Sequence, residues 1–130
     1  MSVDRHRLIV AAQNVLGEFS LRDRFSAGSV GAALLTEAGN VYTGICIDLA
    51  CGLGFCAEIA AVAEMLKVRE THVIALAAVG PGLVLGAPCG RCRETLAQID
   101  ARNLDCAVIL GEDSDVALRT LLPRHWLSGQ

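Results

Sequence analysis

The sequence is poor in aromatic side chains and in lysine. Phe, Trp and Tyr together make up 4% of the residues, too few for the stacking platform on which single-stranded nucleic acids are bound. Lys67 is the one lysine, and the arginines are scattered along the chain, so no basic patch for a phosphate backbone is predicted. With a net charge of −3, the composition argues against a nucleic-acid partner and favours a free small molecule.

Long uninterrupted apolar segments are also missing. Residues 73–90 carry no charge, but three glycines and two prolines interrupt them before the end, whereas a membrane helix needs about 20 predominantly apolar residues. The apolar run Leu8–Ala12 is short and follows the acidic Asp4, so no secretory signal is predicted. Six cysteines in such a chain favour a reducing compartment, the cytoplasm, and a metal-binding or catalytic use of the thiols.

What is present is an apolar chain of the size of one domain. Its 130 residues are 53% hydrophobic and 19% charged. A chain of this length buries roughly two thirds of its unfolded surface, enough for a single core without disulfides. We therefore expect residues 1–130 to form a single domain.

The hydrophobic periodicity predicts an α/β fold with a mixed sheet of four to five strands. The first two strands, joined by Glu37-Ala38-Gly39-Asn40, are expected to form a hairpin. The later strand–helix–strand order implies a right-handed parallel crossover. No long fifth strand is expected between Leu110 and the last helix. The predicted helices are 4–19, 56–68, 90–101 and 115–122, and the predicted strands are 30–36, 41–47, 73–79 and 106–110.

Three cysteines lie in two short motifs, Cys56-Ala57-Glu58 and Pro88-Cys89-Gly90-Arg91-Cys92-Arg93. Each motif opens a predicted helix after a loop, where free backbone N–H groups can stabilise thiolates. Cys89 and Cys92 are spaced i, i+3, so their sulfurs face the same side. Three protein ligands around Zn²⁺ leave the fourth tetrahedral position open for water, which is the pattern of catalytic sites. We therefore predict that Cys56, Cys89 and Cys92 bind Zn²⁺.

Glu58, two residues after the first of these cysteines, is placed to carry protons for a zinc-activated water. Three thiolates and Zn²⁺ sum to −1, which weakens that activation. The two helix N-termini offset about +0.5 each, and we expect Arg93 to add positive charge by donating a hydrogen bond to a thiolate. In a favourable site zinc lowers the pKa of its water to about 7.

Other interpretations of the same residues remain open. In a structural four-ligand zinc site, a non-catalytic binding module, the fourth ligand would come from one of the remaining candidates: Cys46, Cys51, Cys106 or His72. Cys89 and Cys92 are also spaced like a thiol-redox pair, which would act without metal. Glu58 could serve only as an acidic first-turn residue that the helix dipole favours.

With these motifs the chain resembles the small cytidine deaminase-like family, which includes cytidine deaminases and blasticidin-S deaminases. The likeness covers nearly the whole chain, and the two cysteine motifs are its most specific part. The segments 30–35 and 39–44 are similar to the family's first strand and hairpin, and Leu121-Leu122-Pro123 with Trp126 is similar to its C-terminal segment. The resemblance implies a three-layer α/β/α fold, with an N-terminal hairpin followed by βαβ crossovers. It also implies a zinc-dependent hydrolytic deaminase of a pyrimidine nucleoside, and a homotetramer with active sites at subunit contacts.

The resemblance also implies roles for individual residues. The three motif cysteines hold the zinc and Glu58 is catalytic. The backbone around Ala57 and Ala87 holds the carbonyl and the amine of the base. Trp126 covers an active site, either in its own chain or in a neighbouring one.

The chain departs from the family pattern where the sugar of a nucleoside is held. The family's Asn-x-Glu reads Cys46-Ile47-Asp48 here, and Gly28 and Ser29 stand where a phenylalanine is expected. Asp48 keeps an acceptor for one hydroxyl, but the amide donor is gone, and Cys46 is either a packing residue or a substrate contact. Gly90-Arg91 between the ligands is similar to the blasticidin-S group. The predicted substrate is therefore a cytidine-like nucleoside or a modified analogue, with blasticidin-S or a related aminopyrimidine or aminopurine compound as the alternative.

Overall fold

The computed structural model describes residues 4–129, and its centre is a six-stranded mixed sheet flanked by helices. The predicted α/β class is confirmed, although the sheet has six strands where four to five were predicted. In chain order the elements are α1 (Arg5–Val15), β1 (Phe19–Ser20), β2 (Ser26–Thr36), β3 (Val41–Asp48), α2 (Ala57–Lys67), β4 (Val73–Val79), α3 (Gly90–Ile99), β5 (Ala107–Gly111), β6 (Ser114–Ala117) and α4 (Leu118–Leu121). Short 3₁₀ turns cover Pro81–Leu83, Ala101–Asp105 and Trp126–Gly129.

Strand β2 organises the sheet because it pairs with three other strands. It runs antiparallel to β3, with which it forms the predicted hairpin, and antiparallel to β4. Its first two residues also pair with β1. Beyond β4 the order continues to β5, which is parallel to β4, and to β6, which is antiparallel to β5. The parallel β4–β5 pair, joined through α3, is the crossover expected from the sequence.

Helices cover both faces of the sheet, which confirms the three-layer arrangement. Alternate residues of β2 and β4 point to opposite faces. On one face, the buried side chains of α1 pack with these strands in a cluster of Leu8, Ile9, Ala12, Ala33, Ala75, Ala77, Val79 and Ile109. On the other, α2 and α3 contribute to a larger cluster of Leu34, Ala61, Val62, Met65, Val73, Leu76, Leu96, Cys106, Val108 and Leu118. Burying one such large side chain contributes about 1.5–3 kcal/mol, so these two clusters hold the layers together.

The first helix is shorter than predicted at its C-terminal end. Asp4 caps it by accepting a hydrogen bond from the Arg7 N–H at 3.0 Å, but the helix ends at Val15 rather than at Phe19. The Gly17 N–H donates to the Gly28 carbonyl at 2.9 Å, and Phe19 then starts β1. Pairing with β2 therefore replaces the last predicted turn of helix.

The predicted helix over residues 115–122 is wrong in its first half. Gly111 pairs with Ser114, so the chain reverses within two residues and returns beside β5 as β6. Val116 lies opposite Val108 in this pair, where two β-branched side chains pack well. Only Leu118–Leu121 is helical; no long strand is found here, but the short strand β6 of four residues was not predicted. No helix among residues 4–129 is long and apolar enough to cross a membrane.

Candidate active site

Two helix N-termini bring the cysteine motifs together. Cys56 is the N-cap residue of α2, and Cys89 is the N-cap residue of α3. Cys92 follows in the first turn of α3. Neither side chain makes a regular capping hydrogen bond, although backbone N–H groups in the first turn of α3 lie close enough to Cys89 to favour its thiolate.

Gly44 in β3 sets the position of α2. A Cβ atom built on Gly44 would lie 2.5 Å from both the Ala57 carbonyl oxygen and the Ala61 nitrogen. Only glycine therefore lets the first turn of α2 lie this close to the sheet. This close contact fixes Cys56 and Glu58 relative to the strand ends.

The three thiols form a compact cluster. The Cys56 and Cys89 Sγ atoms are 3.4 Å apart, those of Cys89 and Cys92 are 3.6 Å apart, and all three lie within 4.8 Å of one another. Tetrahedral zinc with Zn–S bonds of about 2.3 Å separates its sulfur ligands by about 3.8 Å. The donor set therefore fits Zn²⁺, as the sequence predicted.

Within residues 4–129 no further His, Cys, Asp or Glu joins this cluster. The four candidates for a fourth protein ligand, Cys46, Cys51, Cys106 and His72, all lie outside it, and all six cysteines are free thiols. Three protein donors leave one tetrahedral position for water or substrate, which is the arrangement of catalytic zinc. The described residues therefore do not support the four-ligand structural site.

The surroundings of the three thiols shift their pKa values in different directions. Burial, followed by the nearby charge of Glu58, raises the pKa of the Cys92 thiol well above its usual range. Burial and the Cys89 thiol raise the pKa of Cys56. For Cys89 partial burial acts in the same direction, but backbone N–H groups of Cys92 and Arg91 and the neighbouring thiols lower its pKa overall. The protein alone stabilises only one of the three thiolates, so a metal ion that binds the set must displace protons from the other two thiols.

Glu58 is a buried carboxyl group beside these thiols. It is the second residue of α2, only 5% exposed, and it lines the same cavity as Cys56 and Cys89. Burial raises its pKa, although its own backbone N–H and the Cys92 thiol act in the opposite direction. A carboxyl group with a raised pKa accepts and returns a proton more readily near neutral pH.

Arg93 does not make the predicted contact with a thiolate. Its Nε atom donates to the Pro88 carbonyl at 2.7 Å and its Nη1 atom donates to the Leu121 carbonyl at 2.9 Å. A carbonyl oxygen is a better acceptor than a thiol sulfur. The hydrogen bond expected from Arg93 to a thiolate is therefore not seen, and its side chain instead joins two backbone segments.

An open cavity of about 700 Å³ contains the candidate site. Its walls come from the ends of β2 and β3, the loop 49–55, the first turn of α2 and the loop 80–89. Four of the five residues predicted to bind substrate line it: Cys46, Asp48, Ala57 and Ala87. The fifth, Trp126, is not among the lining residues. It is 68% exposed, and its backbone N–H donates to Glu94 Oε1 at 3.0 Å.

Ser29 is a cavity residue that the sequence analysis did not place in the site. Its Oγ atom lies 3.2 Å from Cys46 Sγ and donates to Asp48 Oδ2 at 3.3 Å. The Cys46 sulfur also accepts the Val30 N–H at 3.3 Å. The signal in the sequence is the missing phenylalanine at this point, but the contact with Asp48 arises in the irregular stretch of the β2–β3 pairing between Ala27 and Gly31. Arg91 also lines the cavity and adds a positive charge to its wall.

This combination of fold and site defines a zinc-binding deaminase domain. Residues 4–108 match the family described as the cytidine and deoxycytidylate deaminase zinc-binding region. The match covers most of the chain, and the chain belongs to this family of zinc-dependent hydrolases that act on C–N bonds.

Individual members of the family are similar to the chain over different lengths. A cytidine deaminase from Mycobacterium tuberculosis is 41% identical over 88 residues, which are 66% of this chain and 63% of that protein. A cytidine deaminase from Halalkalibacterium halodurans is 32% identical over 125 residues, covering 93% of this chain and 92% of that protein. The crystal structure of the M. tuberculosis enzyme superposes with a TM-score of 0.80 at 31% identity, covering 96% of this chain and 98% of that one.

Proposed function

We propose that this protein is a zinc-dependent hydrolytic deaminase of pyrimidine nucleosides. In the reaction, water replaces the exocyclic amine of the base by a carbonyl and ammonia is released. The observation that carries the proposal is the cluster of three thiols, with room for one non-protein ligand, beside the buried Glu58 in one cavity. The similarity to cytidine deaminases over nearly the whole chain supports it.

Each residue of the cluster has a role in this reaction. Cys56, Cys89 and Cys92 hold Zn²⁺, which when bound supplies the Lewis acidity that makes a water nucleophilic at neutral pH. Glu58 takes one proton from that water, delivers it to the ring nitrogen of the base, and then transfers the second proton, that of the added hydroxyl, to the leaving amine as the C–N bond breaks. One proton carrier can serve all three steps because its raised pKa suits both uptake and release. The backbone at Ala57 and Ala87, which both line the cavity, holds the carbonyl and the amine of the base.

The sugar end of the cavity determines which nucleoside is accepted. Asp48 accepts a hydrogen bond from one sugar hydroxyl, and the Ser29 hydroxyl orients its carboxylate. The Cys46 thiol, which is already in contact with Ser29 and Val30, replaces an amide donor. Cytidine, 2′-deoxycytidine and modified analogues are therefore the proposed substrates, because this end offers one strong acceptor and no strong donor.

We further propose that the active form is a cytoplasmic homotetramer with the cavities at subunit contacts. Four exposed apolar side chains lie in the loops that border the cavity: Leu49, Leu53, Leu83 and Val84. Trp126 is equally exposed in the single chain, and we assign it to covering the cavity of a neighbouring subunit. The free state of all six cysteines is consistent with a reducing compartment. Light scattering after size-exclusion chromatography measures the assembly, and a monomeric active enzyme would contradict this part of the proposal.

A substrate panel tests the reaction itself. The zinc-loaded protein is incubated with cytidine, 2′-deoxycytidine, cytosine, adenosine and blasticidin-S, and ammonia release is followed for each compound. Release from the two pyrimidine nucleosides, lost in Glu58→Ala, is the expected result. Release from blasticidin-S alone would select the alternative substrate class, and no release from any compound would favour the non-catalytic binding module.

A further inference from the structure

The two residues that follow the last cysteine of the cluster both contact the C-terminal segment, residues 118–129. Arg93 donates to the Leu121 carbonyl at 2.9 Å. Glu94 accepts the Trp126 N–H at 3.0 Å. Because Cys92 directly precedes them in the first turn of α3, the C-terminal segment is attached at the point where two of the three thiols are located.

Arg93 also closes the turn that carries these thiols. Its second hydrogen bond, 2.7 Å long, goes to the carbonyl of Pro88, the residue immediately before Cys89. The side chain therefore connects the residue before the first thiol of the turn to the residue after the second. Both Cys89 and Cys92 lie inside the ring that this hydrogen bond closes.

The far end of this connection is fixed to the core. Leu121 is the last residue of α4, and the helix begins at Leu118, whose side chain is fully buried in the larger hydrophobic cluster. The Leu118 N–H donates to the Cys106 carbonyl at 3.0 Å. A continuous path of packed and hydrogen-bonded groups thus runs from the core through α4 and Arg93 to Pro88.

We propose that Arg93 is a positioning residue of the metal site, which holds the turn 88–93 in its metal-binding shape by fastening it to the C-terminal segment, with Glu94 as a second attachment. The inference rests on the proposed function only in taking zinc as the metal. A turn already held in shape loses less conformational freedom when it binds an ion, and it opens less often to release it. Partners that orient metal ligands without touching the metal typically change affinity by about 10–100-fold.

Arginine suits this position for a geometric reason. Its planar guanidinium offers several N–H donors in a rigid fork, so it can serve two carbonyls at once, whereas lysine is a single point donor. Lysine at this position should therefore keep one of the two contacts and glutamine neither, so that the conservative variant restores part of the effect.

The rate of zinc release tests the proposal. The full-length zinc-loaded protein is mixed with excess chromogenic chelator, and release is followed well below the melting temperature for wild type, Arg93→Gln, Arg93→Lys and Glu94→Ala. We expect release from Arg93→Gln to be faster by about tenfold, with Arg93→Lys intermediate and Glu94→Ala smaller. Arg69→Gln is the matched control, because Arg69 also donates to backbone carbonyls, those of Leu66 and Lys67, at the opposite end of α2.

Two results would overturn the proposal. One is a release rate for Arg93→Gln that equals those of wild type and Arg69→Gln, even if its melting temperature falls, because a merely structural role lowers stability without loosening the metal. The other is a combination of two findings: the sulfur-to-cobalt charge-transfer bands shift in cobalt-loaded Arg93→Gln, and Glu94→Ala does not change the rate of zinc release. Together they would mean that the guanidinium acts directly on a thiolate rather than through the C-terminal segment. A wild-type protein that binds zinc but deaminates nothing would refute the proposed function and leave this comparison of release rates intact.

Discussion

The two ends of α2 carry glutamates with opposite properties. Glu58, in the first turn, is buried, and burial raises its pKa. Glu70 follows the C-terminal end of the helix, and hydrogen bonds from Thr36, Tyr42 and Asn40 lower its pKa. Both are carboxyl groups at the boundary between helix and sheet, but burial decides the direction of the pKa shift at Glu58 and hydrogen-bond donors decide it at Glu70.

Glu70 is surrounded by donors from the β2–β3 hairpin. It accepts from Thr36 Oγ1 at 2.6 Å, from Asn40 Nδ2 at 2.9 Å and from the Tyr42 hydroxyl. The same contact with Glu70 raises the pKa of Tyr42. A carboxylate held by three donors is stabilised as the anion and is a poor proton carrier. Glu70 therefore fastens the turn of the β2–β3 hairpin to the end of α2. Glu58, whose pKa is raised, can instead exchange a proton near neutral pH.

The largest effect should come from removing one of the three thiols beside Glu58. Cys92→Ser exchanges a buried thiol of the cluster for a weaker zinc ligand, and we expect loss of stoichiometric zinc and of all deaminase activity. Metal content by atomic absorption and ammonia release measure the two losses. Cys51→Ser is the control, because Cys51 is exposed and lies outside the cluster; zinc retained by Cys92→Ser and lost from Cys51→Ser would contradict the assignment.

Exchanging each glutamate for glutamine tests the comparison directly. Glu58→Gln keeps the shape but cannot carry a proton, so we expect kcat to fall by about 10²–10⁴-fold. Glu70→Gln should leave kcat unchanged and lower the urea midpoint of unfolding, since an amide accepts less strongly from the three donors. Steady-state kinetics and urea titrations of both variants give the readouts. The distinction between the two ends fails if Glu70→Gln loses as much activity as Glu58→Gln.

Gly44→Ala should displace the helix that carries Glu58. The added methyl group would meet backbone atoms of Ala57 and Ala61 at 2.5 Å, and overpacking of this kind destabilises by about 1–3 kcal/mol. We expect a lower free energy of unfolding and a reduced kcat, because Glu58 shifts with the helix. Gly17→Ala is the matched control, since no atom lies within 4 Å of the added methyl group; equal effects of the two substitutions would contradict the close-contact argument.

The smallest expected effect is on the acid side of the stability profile. Because the folded protein lowers the pKa of Glu70, this group contributes stability above its ordinary pKa of about 4.3, and the contribution is lost as the pH falls through the lower folded value. Urea midpoints measured from neutral pH downwards should therefore fall less steeply in Glu70→Gln than in wild type. Tyr42→Phe removes one donor and should move the loss to higher pH. Parallel curves for all three proteins would show that Glu70 is not held as proposed.

The sequence predicted the surroundings of the two glutamates unequally. Residues three apart at the start of a helix face the same side. The spacing of Cys89 and Cys92, two of the thiols beside Glu58, therefore predicts that their sulfurs lie together, without any knowledge of the fold. Glu70 received no role from the sequence, since its three partners come from a hairpin about 30 residues away along the chain. Contacts that depend on the register of two strands, such as Ser29 with Asp48, leave no periodic signal.

The errors in the fold have the same origin. Leu8 and Ala12 belong to a helical apolar stripe that the structure confirms. The apolar spacing predicts that the helix continues to Phe19, but it ends at Val15 and Phe19 pairs with β2 instead. The apolar spacing of residues 115–122 is compatible with a helix, and only the two-residue reversal at Gly111 turns its first half into β6. In both places pairing with a neighbouring strand overrides local helix propensity.

The separation of the thiols along the chain has a consequence for biogenesis. Cys56 and Cys89 are 33 positions apart, and α2 and β4 lie between them. In a nascent or denatured polypeptide Cys89 and Cys92 are close in sequence, but nothing holds Cys56 beside them. All three thiols can therefore bind one ion only after β4 has joined the sheet. A zinc-loaded molecule is then one whose central sheet has already formed.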